Sequence, residues 1–118
     1  MEFEYTYGDE EKNIVKSGID EIRKVLIEKD YKSKSRLLFY LDWYMDPYYK
    51  QNLDKIIEPL KKILQELVFV DNEIGIKEEA LYLLESYTDG PYDILKNNYN
   101  KIPEELKSKA LYLINISE

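Results

Sequence analysis

One stretch of this chain is written twice. Residues 36–49 read RLLFYLDWYMDPYY, and residues 79–92 read EALYLLESYTDGPY. Leu38 answers Leu81, Phe39 answers Tyr82 and Leu41 answers Leu84. Asp42 answers Glu85, Tyr44 answers Tyr87 and Asp46 answers Asp89. Each copy reads as a helix that ends at a proline turn, because proline pushes the residue before it out of the α region. The echo continues, with KQNLDKIIEPLKK at 50–62 resembling KNNYNKIPEELKS at 96–108. The period is about 43 to 46 residues, the scale of an α-solenoid unit. A chain built on such a repeat is predicted to be all-α.

The rest of the chain reads in order around that repeat. Residues 2–7 alternate, with Phe3, Tyr5 and Tyr7 on one side. That is strand period, but no second strand follows, so residues 1–8 are expected to form an extended arm. Asp9 is placed to cap a first helix over about 10–29. Its apolar face carries Ile14, Val15, Ile19, Ile22, Val25 and Leu26. Gly18 lies inside that helix at a cost of about 1 kcal/mol relative to alanine. Ser33 or Ser35 caps a second helix over about 34–46, with Leu37, Leu38, Leu41, Tyr44 and Met45 inward and Pro47 as its end.

A third helix is expected over about 48–57 and a fourth over about 59–69, with Pro59 in the first turn of the latter. One kinked helix over 48–69 is the competing reading. The fourth helix buries Leu60, Ile63, Leu64, Leu67 and Val68. A fifth covers about 76–88, with Ile76, Ala80, Leu83, Leu84 and Tyr87 inward, and Asp89-Gly90-Pro91 breaks it by turn chemistry. A sixth spans about 91–100 and a seventh about 103–116, the latter with Ala110, Leu113 and Ile114 inward. The expected architecture is one helical domain over 1–118, in which about seven short antiparallel helices stack in layers. Residues 33–116 hold two degenerate repeats.

Composition removes several kinds of chemistry. Cysteine and histidine are absent. Disulfides are thereby excluded, as are zinc sites built from the usual nitrogen and sulfur ligands. Serine and cysteine triads need a histidine, and no glycine-rich phosphate loop is present. No catalytic signature remains, so an enzyme is not expected, and neither is a cofactor or a metal. The net charge of −7 argues against direct nucleic-acid binding, which needs clustered cations. It suits a basic protein partner, since opposite fields steer association. Without a long apolar run or a signal-like N-terminus, a membrane is not expected and a cytoplasmic location is.

Two features point to contact chemistry. Asp42 with Asp46, and Glu85 with Asp89, are carboxylates one helical turn apart at equivalent places in the repeat. They could bind a hard divalent cation, form a solvated acidic ridge, or belong to an acidic contact surface. Tyrosine occurs 12 times. Trp43, Tyr40, Tyr44, Tyr48, Tyr49 and Tyr92 crowd the helix ends and proline turns. Tyr44 and Tyr87 fall on apolar stripes and read as core. Tyrosine and tryptophan give stiff contact area with a polar tip, which suits interface anchors. The expected partner-binding set is Asp42, Trp43, Asp46, Tyr48, Tyr49, Glu85, Asp89, Tyr92 and Asp93.

The helix, proline turn, helix pattern over residues 33–116 resembles HEAT or armadillo-type repeats. With its small size and acidity, the chain is also similar to the small all-helical immunity proteins of bacterial polymorphic toxin systems. That resemblance implies tight binding to a cognate toxin domain, often a nuclease, and so a basic partner. The alternative is a general HEAT-like adaptor or regulator, or a phage-encoded inhibitor. Arginine stands only at positions 23 and 36, and the abundant Lys, Ile and Asn codons are rich in A and T, which fits a bacterial or phage coding sequence.

Overall fold

A computed structural model of the chain describes the backbone of residues 2–116 and the side chains of residues 9–116. The chain is all-α. Among the described residues there are seven α-helices and no strand. These are α1 (Glu2–Ser17), α2 (Ile19–Glu28), α3 (Tyr31–Tyr44), α4 (Ile57–Val70), α5 (Ile74–Tyr87), α6 (Asp93–Asn97) and α7 (Glu104–Ile116). Short 3-10 turns cover Pro47–Tyr49 and Tyr99–Lys101. Among the described residues no helix is long and apolar enough to cross a membrane.

The N-terminal expectation is corrected twice. Residues 2–8 are helical and belong to α1, so they form no extended arm. A lone strand would leave its backbone donors and acceptors unpaired, whereas a helix satisfies them within the segment. Asp9 consequently lies inside α1 and does not cap it. The single helix expected over 10–29 is instead two, parted at Gly18. Gly18 has φ 109° and ψ −179°, a conformation open in practice to glycine alone. A Cβ added there would meet nothing within 4 Å. The glycine is required for its backbone angles, not for a close approach.

Helix α3 starts earlier than the serines suggested. Asp30 is its N-cap, and one carboxylate oxygen accepts the Ser33 backbone N–H at 3.1 Å. The Ser33 side chain and backbone together hold the Asp30 carboxyl below its ordinary value. Asp46, the residue before Pro47, is extended as expected (φ −65°, ψ 122°). The third helix expected over 48–57 is absent. Lys50 adopts left-handed angles (φ 56°), which closes the 3-10 turn and stops helical propagation. Pro59 lies in the first turn of α4, where its missing N–H leaves no broken bond.

Packing divides the chain into two units, residues 1–60 and 61–118. In the first, α1, α2 and α3 all pack on one another. Val15, Ile22, Val25, Leu26, Leu37, Leu38, Leu41 and Met45 are buried there. Ile14 and Ile19 are only partly so, as is Tyr44, which the apolar stripe had placed in the core. Arg36 of α3 reaches Glu11 at 3.6 Å and Glu10 at 3.9 Å on α1. Glu11 is buried, and burial raises its carboxyl above the ordinary 4.5 despite the opposing pull of its backbone N–H and of Arg36.

In the second unit, α7 packs against both α5 and α6. Its buried apolar set includes Leu64, Leu67, Val68, Leu83, Leu84, Leu95, Leu106 and Leu113. Tyr87, expected inward, is half-buried. Two buried polar groups of α4 serve the loops around it. Lys61, which charge patterning alone would leave in solvent, is buried and donates its Nζ to the Asp89 carbonyl at 2.6 Å. Gln65 accepts the Leu95 N–H at 3.1 Å and donates to the Lys61 carbonyl at 3.4 Å. Leu95 stands in the first turn of α6, whose N-cap residue, Tyr92, makes no side-chain cap bond. Gln65 therefore supplies from α4 a partner for a donor that α6 cannot satisfy itself.

Candidate partner-binding site

The C-terminal end of α3 and the turn after it form an aromatic cluster. Trp43 and Tyr49 stand 5.1 Å apart between ring centroids, and Tyr48 meets Tyr49 edge-on at 5.1 Å. Tyr40 lies 5.4 Å from Trp43 and stacks on Tyr44 at 6.1 Å. All of these spacings are in the range where aromatic pairs attract beyond simple burial. Yet Trp43 is 41% exposed, Tyr49 45% and Tyr48 80%. The rings brace one another while leaving large areas open to solvent.

Local sequence explains the arrangement. Tyr40, Trp43 and Tyr44 recur at helical spacing and share one side of α3. Asp46 then accepts the Tyr48 N–H through a carboxylate oxygen at 2.9 Å. That bond and the ring constraint of Pro47 hold the 3-10 turn, and the turn carries Tyr49 back beside Trp43, with Tyr48 against Tyr49. Asp46 thus has a structural task besides its charge. Asp42, one turn earlier on α3, is part-exposed.

The second copy of the repeat behaves differently at its end. Glu85, Asp89 and Asp93 are exposed, as expected of a contact surface. Tyr92 is not, at 3% exposure, and its place among the partner-binding residues is corrected. Its hydroxyl bonds the Leu84 carbonyl at 3.2 Å and the Thr88 carbonyl at 3.1 Å, with the Thr88 hydroxyl at 3.0 Å. The Lys61 ammonium sits 5.4 Å from its ring centroid. Burial pushes the Tyr92 hydroxyl above its ordinary value. The reason lies in the turn. The first copy reads Asp-Pro-Tyr-Tyr and the second Asp-Gly-Pro-Tyr, so the proline falls one position later and the tyrosine turns inward.

The nine expected residues therefore divide. Trp43, Asp46, Tyr48 and Tyr49 come together in the first unit, and Asp42 lies in the same unit on α3, next to Trp43 in the chain. Glu85, Asp89 and Asp93 lie in the second, where Glu85 borders a groove of about 300 Å³ between α5 and α7 with Tyr82, Lys109 and Tyr112. Tyr82 and Tyr112 were not anticipated as surface groups, although the match of Tyr82 to the exposed Phe39 carried the signal. Among the described residues, no group of three or more carboxylates is placed to hold a metal ion. No protein-family model, no curated protein and no solved structure matches the chain.

Proposed function

We propose that this chain is a protein-binding inhibitor whose contact surface centres on Trp43, Tyr48 and Tyr49. The observation that carries the reading is the braced yet exposed aromatic cluster at the end of α3. Such rings lose little conformational freedom on binding, because neighbouring rings already restrict them. Interface energy concentrates on anchors of this type. Asp42 and Asp46 beside them, and the net charge of −7, suit a basic partner.

The specific form of the proposal is an immunity protein for a nuclease-type toxin domain. Its acidic side chains would stand where a phosphate backbone otherwise lies, and its bulk would block access. The resemblance to HEAT-type repeats and to small helical immunity proteins supports this form. An adaptor role is the second reading. It draws on the groove between α5 and α7, whose exposed Tyr82 and Tyr112 offer a further contact face.

The test is co-expression with the product of the adjacent gene. Growth arrest by that product alone, relieved by this chain and not by a Trp43→Ala/Tyr49→Ala variant, is the expected result. An adjacent product that is harmless and does not bind the purified chain would remove the immunity reading.

A further inference from the structure

A cleft of about 480 Å³ opens between α1 and α3, with Gln51, just past the 3-10 turn, at its edge. Tyr40, Trp43 and Tyr44 wall one side of it. Lys12 and Lys16, one helical turn apart on α1, line the other with Asp9. Both lysines are exposed, so their ammonium groups can swing over the opening. We propose that this cleft binds a small planar aromatic ring carrying an anionic group. Such binding needs no protein partner.

Three observations lead there. The volume is in the range of small-molecule sites. Tyr40 and Tyr44 stack with an interplanar angle of 22°, and Trp43 tilts at 45° to Tyr40, so the wall is built of three aromatic rings whose faces are set at more than one angle. Stacking on such faces accepts any planar ring. The charged lining holds two cations against one carboxylate. The protein as a whole is acidic, but exposed charges are screened beyond about 8 Å at physiological ionic strength. Glu11 stands near Tyr40, and Asp42 and Asp46 flank the aromatic residues, but of the charged side chains that line the cleft itself the lysine pair is the majority and sets the sign that a bound group meets. A cationic aromatic ligand would gain from the rings and lose against the lysines.

Trp43 is the one tryptophan in the sequence, so its emission reports on the cleft without labelling. The purified chain is titrated with phenyl phosphate, benzoate, inorganic phosphate, benzyl alcohol and benzyltrimethylammonium. Saturable change with phenyl phosphate or benzoate is expected, and which of the two binds tighter identifies the anionic group. Inorganic phosphate, benzyl alcohol and the ammonium compound should bind at least tenfold more weakly. A Lys12→Gln/Lys16→Gln variant should weaken the aryl anion at least tenfold, a Lys12→Arg/Lys16→Arg variant should retain it, and Lys24→Gln on α2 should leave it unchanged. The proposal is overturned if neither aryl anion gives a saturable change, if the neutral or cationic ring binds as tightly, or if the glutamine variant binds like the parent. Should the glutamine variant fail to fold, the comparison of probes on the parent chain decides by itself.

Discussion

Single residues set the backbone course of this protein, and Gly18 does so most plainly. Its φ of 109° lies where an L side chain is strained whatever the space around it. Gly18→Ala is expected to cost about 1–3 kcal/mol, the scale of a residue held in such a region. Urea unfolding of the two proteins measures it. An alanine variant as stable as the parent would mean that α1 and α2 tolerate a continuous helix. Glu11 makes a second residue-scale prediction. Its folded carboxyl titrates above its ordinary 4.5, chiefly through desolvation. The penalty for its charge is absent below about 4.5 and is felt in full only above the raised folded value. The parent should therefore gain stability relative to Glu11→Gln as pH falls from 7 into the carboxylate range. A difference that stays flat with pH would contradict the buried, charged assignment. At this scale sequence reading was weakest. Propensity weighs a glycine inside a helix but does not reveal the break it allows, and the choice of Asp30 over Ser33 as cap depended on where α2 ended.

At the scale of elements the internal echo was a good guide to burial. Leu41 and Leu84 are fully buried at matching positions, and Phe39 and Tyr82 are both exposed. Leu→Ala at position 41 or 84 is expected to cost about 2–5 kcal/mol. Ala at 39 or 82 should stay within about 0.5 kcal/mol of the parent. Thermal or urea unfolding of the four variants checks the contrast, and equal effects at inner and outer positions would break the repeat assignment. All five apolar positions expected of α4 are buried, since their spacing is regular and long. The helix expected after Pro47 failed because propensity could not show that Asp46 and Lys50 would fix a 3-10 turn instead. The count of seven helices still held among the described residues, because the split at Gly18 replaced the helix missing after Pro47. Gln65 was illegible for another reason: its partner, the Leu95 N–H, lies about 30 residues away in sequence. Gln65→Leu should cost about 1–3 kcal/mol by stranding that buried donor. A neutral substitution would show that α6 finds its own partner.

At the scale of the whole molecule, the sequence made the all-α class legible through one repeated pattern and excluded several chemistries by what it lacks. It could not separate the two tyrosine-bearing turns, because one shifted proline sends Tyr92 inward and leaves Tyr49 out. Five of the nine expected contact residues belong to one unit, and they carry the central claim of an aromatic anchor with acidic side chains beside it. The direct measurement is binding kinetics to the product of the adjacent gene at two salt concentrations. The parent is compared with Trp43→Ala and with Asp42→Asn/Asp46→Asn, which removes charge while the amide at position 46 keeps an oxygen for the Tyr48 N–H. Association of the parent should slow steeply with added salt, and the asparagine variant should associate more slowly with a weaker salt dependence. Trp43→Ala should instead dissociate at least tenfold faster, as a lost anchor shortens residence. Salt-independent association, with both variants binding like the parent, would contradict the account.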